Sequence, residues 1–236
     1  GVAAAVLIKR SISCLKEVTL TYFDIPATPG EKVRLALTLA RVPFKDIRIK
    51  FSEWAGIKPE TKYGQLPMLQ INGEKCFQSG AILRHVGRLG DGSLYPVHDP
   101  EACMKIEECL GIGEDLARAW MPALMVGFGD RHEQFGHPKE WPDKVETTKR
   151  LREKFVQEEL PSYMGYLSRQ IEANGGSFLC GCKPTIADCH LYPQVQYFVR
   201  GTADHVPKDC LKDFPVVLAW MERFRAIPEV AKHYGL

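Results

Sequence analysis

The chain has 236 residues, of which 45% are hydrophobic and 25% charged, the proportions of an ordinary globular protein. Its 31 basic and 29 acidic residues leave a net charge of +2, which gives no indication of binding to nucleic acid or to an anionic membrane surface. No apolar run in the sequence approaches the length of a membrane span.

The segment 1–16 differs in composition from the rest, since it contains three basic residues and no acidic one. We interpret it as an N-terminal extension: the remainder of an organelle-targeting segment, a cloning remnant or a short native extension. Eight cysteines without a Cys-x-x-Cys pair indicate reduced thiols in an intracellular compartment. We therefore expect a cytoplasmic protein, with an organelle as the alternative.

A strand is predicted at 18–23, where an apolar and β-branched run ends in Tyr22. A helix is predicted to follow, because Thr28 and Glu31 have the spacing of a capping box, with Pro29 at the first helical position. The strand would then present a phenol beside the unpaired N–H groups of a helix N-terminus. Such a site suits an anion such as a thiolate.

A second strand is predicted at 44–51 from alternating apolar and charged residues, parallel to the first. A polar loop with Trp54 and Lys58 follows, and then a hairpin whose turn is Asn72–Gly73. Ser79 is expected to cap the next helix. The order βαβ and then ββα predicts a thioredoxin-like α/β domain.

The second half of the chain is predicted to be entirely helical, with its third helix opened by a capping box of Thr185 and Asp188. The helices are expected at about 99–126, 144–173, 185–199 and 213–225. The fold class is therefore a thioredoxin-like α/β N-terminal domain followed by an all-α helical-bundle C-terminal domain. The expected divisions are an extension, an α/β domain, a linker and a helical domain at 1–16, 17–90, 91–98 and 99–236.

Five short motifs resemble those of the cytosolic glutathione S-transferases, and most closely those of the sigma class, which includes glutathione-dependent prostaglandin D synthases. The resemblance covers about residues 18–232. The motifs are Leu20-Thr21-Tyr22-Phe23, Trp54 with Lys58, Gly64-Gln65-Leu66-Pro67, Gln78-Ser79 and Thr185-Ile186-Ala187-Asp188. The resemblance implies an enzyme of detoxification that uses glutathione as co-substrate against an electrophilic, mostly apolar small molecule, by conjugation, peroxide reduction or isomerisation.

The resemblance makes Tyr22 the catalytic residue, whose hydroxyl donates a hydrogen bond to the sulfur of glutathione. A free thiol has a pKa of about 8.5, so only a few per cent is thiolate at neutral pH. A hydrogen bond to a charged group is worth about 1.5–3 kcal/mol, which corresponds to a pKa lowered by about one to two units. One phenol is therefore enough to make thiolate the major form. Without the later motifs, Tyr22 would be equally consistent with an aromatic that only packs between strands.

The glutathione-binding residues implied by the resemblance come from three motifs. Trp54 and Lys58 match residues that hold the glycyl end, and Gln65 matches a further contact at that end. The backbone of Leu66 matches the group that pairs with the cysteinyl part of glutathione. The remaining matches are the residue beside the catalytic tyrosine, the cis-proline and the two residues that bind the γ-glutamyl end: Phe23, Pro67, Gln78 and Ser79.

Asp115 matches an acidic residue that reaches the γ-glutamyl ammonium in the partner subunit, which implies a homodimer. Its alternative is a solvated acid on a helix surface. Thr185 and Asp188 match a box that serves folding and not catalysis.

The chain also departs from sigma-class relatives, which commonly carry an arginine shortly after the tyrosine. Here the segment 24–29 has no basic residue and is one residue longer, which weakens the expectation of prostaglandin isomerisation. The acceptor pocket is the variable part of these enzymes. By position, its candidate residues are Ile25, Trp120, Met121 and His190.

Other functions remain open from the residues alone. No metal site is expected, because Asp130, His132 and His137 fit no common ligand spacing. A redox role for Cys180 and Cys182 is a minor alternative. A protein that keeps this fold as a non-catalytic ligand carrier, or as a structural subunit of a larger complex, is the main alternative to the enzyme.

Overall fold

The computed structural model describes residues 17–25 and 28–236. The predicted extension at 1–16, which includes Cys14, lies outside the described residues. The capping box predicted from Thr28 falls at the edge of the gap at 26–27 and stays a prediction. None of the helices in the described part of the chain is long and apolar enough to cross a membrane.

A four-stranded sheet in the order β2-β1-β3-β4 forms the first half of the protein. Strands β1 (Val18–Phe23) and β2 (Lys45–Ile49) are parallel and are joined by helix α1 (Thr28–Leu39), which confirms the predicted βαβ unit. Strand β3 (Met68–Ile71) is antiparallel to β1 and to its hairpin partner β4 (Glu74–Phe77).

The turn of this hairpin is Asn72–Gly73, with φ angles of 50° and 94°. Two successive positive φ values are those of a type I′ turn, in which asparagine and glycine are favoured because they tolerate this conformation. The hairpin prediction is therefore confirmed.

The segment between β2 and β3 is helical, and its prediction as a polar loop is wrong. It consists of three short helical pieces, in which the middle one is α2: Phe51–Glu53, Trp54–Ile57 and Lys58–Glu60. These pieces contain no buried residue, so the sequence shows no apolar period from which they could be detected.

Helix α3 (Ser79–Gly87) begins at Ser79, so the predicted capping role of this serine is wrong. The cap position belongs to Gln78, which has φ 69° and makes no capping hydrogen bond with its side chain. The positive φ of Gln78 turns the chain into the helix and makes Ser79 the first helical residue.

The second half is all helical, as predicted, and its first helix is capped by Asp99, which accepts a hydrogen bond from the backbone N–H of Ala102 at 3.0 Å. Its helices α4 to α9 are Pro100–Val126, Lys144–Lys154, Leu160–Ala173, Ile186–Val199, Pro215–Arg225 and Pro228–His233. A π-helical stretch at Phe155–Glu159 interrupts the helix predicted at 144–173. Helix α9 was not predicted, because six residues are too few to show a helical period.

The two halves pack against each other mainly through α1 and α7. Helix α7 is buried along most of its length, and the carboxylate at its start, Asp188, is fully buried. Asp188 accepts hydrogen bonds from Thr185 N–H at 2.8 Å and Trp220 Nε1–H at 2.8 Å, which confirms the predicted capping box. The protein thus consists of a thioredoxin-like α/β half followed by an all-helical half.

Candidate active site

A cleft of about 420 Å³ opens beside the sheet and contains most of the predicted glutathione-binding residues. Seven of them line it: Phe23, Trp54, Gln65, Leu66, Pro67, Gln78 and Ser79. A concavity of similar volume, about 450 Å³, lies in the helical half between Glu153 and Pro207, and contains none of the predicted site residues. The cleft beside the sheet is therefore the candidate site.

Tyr22 lies near the end of β1, immediately before Phe23, which lines the cleft. The Tyr22 ring contacts Phe23 edge-on at 5.6 Å, and Tyr22 is only 6% exposed. The first turn of α1 lies directly against this ring, because a Cβ atom placed on Gly30 would be 2.3 Å from Tyr22 Cδ1. Glycine at this position lets the first turn of α1 pack against the Cβ side of the Tyr22 ring.

The Tyr22 hydroxyl is a neutral donor at physiological pH. Burial raises the pKa of Tyr22 to about 12, against the opposing charge of Arg34. The Arg34 guanidinium lies 5.8 Å from the centre of the Tyr22 ring. Among the described residues, no group forms a hydrogen bond with this hydroxyl. It is thus available to a ligand.

Another part of the cleft is formed by the segment Gln65-Leu66-Pro67 and by Gln78. The Leu66–Pro67 peptide bond is cis, as the resemblance implied. The side-chain amide of Gln78 donates a hydrogen bond to Gln65 Oε1 at 3.2 Å. This contact links two residues that were predicted to bind opposite ends of glutathione.

Trp54 and Lys58 differ in position. The Trp54 ring lines the cleft and meets Phe23 edge-on at 5.5 Å. Lys58 is exposed and does not itself line the cleft, but its side chain lies against Gly64, which does: a Cβ atom on that glycine would lie 3.2 Å from Lys58 Cε. Asp115 also lies outside the cleft, exposed on α4, where it accepts a hydrogen bond from Arg118 at 2.8 Å.

None of the four candidates for the acceptor pocket lines this cleft. Trp120 is only 6% exposed and packs among Phe155, Tyr197 and Phe198 in the core of the helical half. Met121, in contrast, is 39% exposed. Ile25, at the edge of the undescribed residues 26–27, is half-buried.

His190 is the fourth candidate, and it is buried where α7 meets α1. Its Nδ1 lies 3.3 Å from Lys32 Nζ, and its Nε2 lies 3.6 Å from a carboxylate oxygen of Glu114. Burial lowers the pKa of His190 well below its usual value, and the charges of Lys32 and Arg84 act in the same direction. The imidazole is therefore neutral and belongs to a contact between the two halves.

Comparisons with known proteins agree with this architecture. The family model for the glutathione S-transferase N-terminal domain matches residues 18–88, and the model for the C-terminal domain matches residues 129–235. Together they match the sheet half with the cleft and most of the helical half. The chain belongs to the glutathione S-transferase family.

Individual relatives point the same way. A glutathione S-transferase P of Caenorhabditis elegans is 26% identical over 89% of this chain and 88% of its own length. Glutathione S-transferase 1 of Ascaris suum is 46% identical over 31% of this chain and 35% of its own length. The structure of prostaglandin synthase D of Nilaparvata lugens has the same fold, with a TM-score of 0.75, 24% identity, and coverage of 93% of this chain and 97% of that one.

This transferase is therefore an enzyme whose co-substrate is glutathione, and its N-terminal half is the domain that binds it. Five residues that line the cleft were not among the predicted site residues: Pro29, Tyr63, Gly64, Phe77 and Arg131. Arg131 is the one that comes from the helical half, at the start of a 3₁₀ turn (Arg131–Phe135). It lies in the long segment between α4 and α5. Nothing in the sequence shows that this segment folds across toward the sheet, because that depends on the packing of the two halves.

Proposed function

We propose that this glutathione S-transferase activates the thiol of glutathione through the Tyr22 hydroxyl, for attack on an electrophilic, mostly apolar small molecule. The observation that carries the proposal is the buried and unpartnered phenol beside Phe23 and the N-terminal turn of α1. Because burial raises the pKa of Tyr22 to about 12, the phenol keeps its proton and donates it in a hydrogen bond. The thiolate then needs no general base in the cleft.

The energetics are sufficient for this role. One hydrogen bond to a thiolate is worth about 1.5–3 kcal/mol, which lowers the thiol pKa by about one to two units from about 8.5. The aligned N–H groups at the start of α1 act in the same direction. In conjugation the thiolate forms a carbon–sulfur bond, and the leaving group or the developing carbanion takes the negative charge.

The remaining assignments belong to the same proposal. We assign the enzyme to a sigma-like class, with detoxification in the cytoplasm as its role. Conjugation and peroxide reduction fit the cleft better than prostaglandin isomerisation, because the segment 24–29 carries no basic residue. We keep the predicted roles of Gln78 and Ser79 at the γ-glutamyl end and of Trp54 at the glycyl end.

We further propose that the active unit is a homodimer in which Asp115 meets the γ-glutamyl ammonium in the partner subunit. Met104 and Asp115 lie eleven residues apart on α4, which puts them on one face of the helix, and both are exposed. This face of α4 suits a self-association surface. Sedimentation equilibrium of the native protein and of Met104→Glu tests the assignment, since a charge at this position should produce a monomer.

The decisive test of the function is the ultraviolet absorbance of bound glutathione thiolate as a function of pH, for the native enzyme and for Tyr22→Phe. We expect a midpoint near neutrality in the native enzyme and a midpoint higher by about one to two units in the variant. Tyr63→Phe is the matched control, because Tyr63 is a second phenol and lines the cleft, whereas no role is predicted for it.

Three results would contradict parts of the proposal. An equal midpoint in the native enzyme and Tyr22→Phe would remove Tyr22 from the mechanism. Binding of glutathione with the midpoint of the free thiol would indicate a carrier that does not activate its ligand. A shift in Tyr63→Phe as large as that in Tyr22→Phe would transfer the role to the second phenol.

A further inference from the structure

Arg131 is the one charged residue among the described residues that line the cleft. The other described residues of the lining are apolar or neutral polar. Glutathione carries two carboxylates and reacts as a thiolate, so its binding places three negative groups at or near this cleft. Within the described part of the chain, the cleft lining offers one cation, Arg131, to these negative groups.

Arg131 contacts one end of a row of aromatic rings that crosses from the helical half to the sheet half. Its guanidinium lies 5.9 Å from the centre of Phe128, and Phe128 lies 6.3 Å from Phe51. Phe51 stacks on Phe23 at 4.7 Å, and Phe23 contacts Trp54 at 5.5 Å. The row connects Arg131 to the end of the cleft where Trp54 lies.

The guanidinium of Arg131 is available to bind a ligand. The residue is exposed, and its guanidinium has no ion pair and no hydrogen bond within the described residues. Two other cations are nearby. Arg48 is already held by Asp46 at 2.8 Å, and Lys58 lies behind Gly64 and is not itself part of the cleft lining. Arg131 is thus the cation that an anion entering the cleft would meet.

We propose that Arg131 binds the glycyl carboxylate of glutathione, the role that sequence resemblance gave to Lys58. This inference rests on the proposed use of the cleft for glutathione. The other carboxylate is assigned to Gln78 and Ser79, and the cysteinyl part to Leu66. Trp54 and Arg131 therefore remain for the glycyl end.

The chemistry of the guanidinium suits this role. Arginine presents a planar fork of N–H donors that matches the two oxygens of a carboxylate, whereas lysine offers a point charge. Because Arg131 belongs to the helical half, the glycyl carboxylate would join the two halves across the cleft. Glutathione would then be recognised by both halves of one chain and not by the sheet half alone.

Glutathione monoethyl ester, in which the glycyl carboxylate is masked and the rest of the molecule is intact, is the probe. Dissociation constants for glutathione and for the ester are measured by calorimetry with the native enzyme, Arg131→Gln and Lys58→Gln. We expect the native enzyme to bind glutathione about 10- to 100-fold more tightly than the ester. Arg131→Gln should lose most of this preference, with unchanged affinity for the ester.

The two control variants sharpen the result. Lys58→Gln should keep the full preference for glutathione, since its side chain lies outside the cleft lining. Arg131→Lys should restore only part of the preference, because a charge without the fork cannot hold both oxygens. Thermal unfolding of each variant confirms that the exposed substitutions leave the fold intact.

The outcomes separate this proposal from the proposed function. Full preference in Arg131→Gln together with its loss in Lys58→Gln would assign the carboxylate to Lys58 and overturn the inference alone. An equal loss of affinity for glutathione and the ester in Arg131→Gln would also overturn it, because the arginine would then act on another group. Failure of the native enzyme to bind either ligand would overturn the proposed function as well.

Discussion

The cleft of the sheet half and the Asp188 site of the helical half use similar polar side chains, but they differ in how many partners those side chains have. Asp188 is fully buried and accepts four hydrogen bonds from Leu179, Thr185 and Trp220. In the cleft region, the hydroxyl of Tyr22 and the guanidinium of Arg131 have no hydrogen-bond partner among the described residues.

This difference distinguishes polar side chains that stabilise the fold from polar side chains that are available to bind a ligand. A polar group at a cleft that has no partner within the protein can accept one from a ligand, and a hydrogen bond to a charged ligand group is worth about 1.5–3 kcal/mol. A carboxylate such as that of Asp188, whose hydrogen bonds are all made within the protein, has no hydrogen bond left for a ligand. It stabilises the contact between the elements that it joins. Both sites were predicted from short motifs in the sequence. Whether a motif forms a structural site or a ligand-binding site is seen only from its hydrogen bonds in the structure.

The largest effect is expected from removal of the carboxylate of the saturated site. Asp188→Ala leaves the N–H groups of Leu179, Thr185 and Trp220 buried without an acceptor, and it should lower the free energy of unfolding by about 3–5 kcal/mol. Urea unfolding followed by circular dichroism measures the loss. The folded fraction should keep its affinity for glutathione.

Asp209→Ala is the matched control for this experiment. Asp209 forms an exposed pair with Lys212 at 3.7 Å, and such pairs contribute about 0–1 kcal/mol. A loss in Asp188→Ala no larger than in this control would mean that the network does not stabilise α7. The contrast between the two sites would then fail.

The contact between the two halves provides an intermediate case, because Glu31 of α1 is buried and accepts a hydrogen bond from His233 at 2.7 Å and one from Arg34 at 3.2 Å. Burial acts to raise the pKa of Glu31, but the bond to His233 and the charges of His233 and Arg34 outweigh it and lower the pKa to about 2. The usual value is 4.5.

A carboxyl group whose pKa is lowered by folding stabilises the protein above its unfolded pKa, and the stabilisation is lost as the pH falls through the folded pKa. The contribution of Glu31 should therefore be complete above about pH 5 and decline toward pH 2, by about 3 kcal/mol in all. Unfolding free energies measured between pH 5 and 3 should fall more steeply for the native protein than for Glu31→Gln. Parallel pH profiles would show that the pair contributes nothing.

Local features of the fold were predictable from the sequence because each depends on a few neighbouring residues. The turn at Asn72–Gly73 and the box at Thr185 and Asp188 need only the right residues at the right spacing. The burial of Trp120 and the contact of His190 with Lys32 depend on how the two halves pack. No period or motif in the sequence carries that information.

The candidate site divides in the same way. Trp54, Gln65 and Gln78 were found because they lie in motifs of the sheet half, whose positions follow from strand order. Arg131 was missed because its segment crosses to the cleft from the other half. Lys58 was expected in the cleft from its motif alone, and the position of its side chain beside Gly64 was not predictable.

The smallest effect on stability is expected from substitution of Gln78. This substitution tests whether the unfavourable backbone conformation of Gln78 is kept because its side chain contributes to ligand binding. Its φ of 69° is unfavourable for a residue with a Cβ atom, at a cost of about 1–3 kcal/mol, whereas glycine adopts it freely but loses about 0.5–1 kcal/mol of chain entropy on folding. The free energy of unfolding of Gln78→Gly should therefore equal that of the native protein or be slightly higher.

The affinity of Gln78→Gly for glutathione should fall about tenfold, because the amide that contacts Gln65 Oε1 and lines the cleft is lost. Urea unfolding and calorimetry measure the two quantities on one preparation. A large loss of stability with unchanged affinity would identify Gln78 as a structural residue, and the cleft would then resemble the Asp188 site.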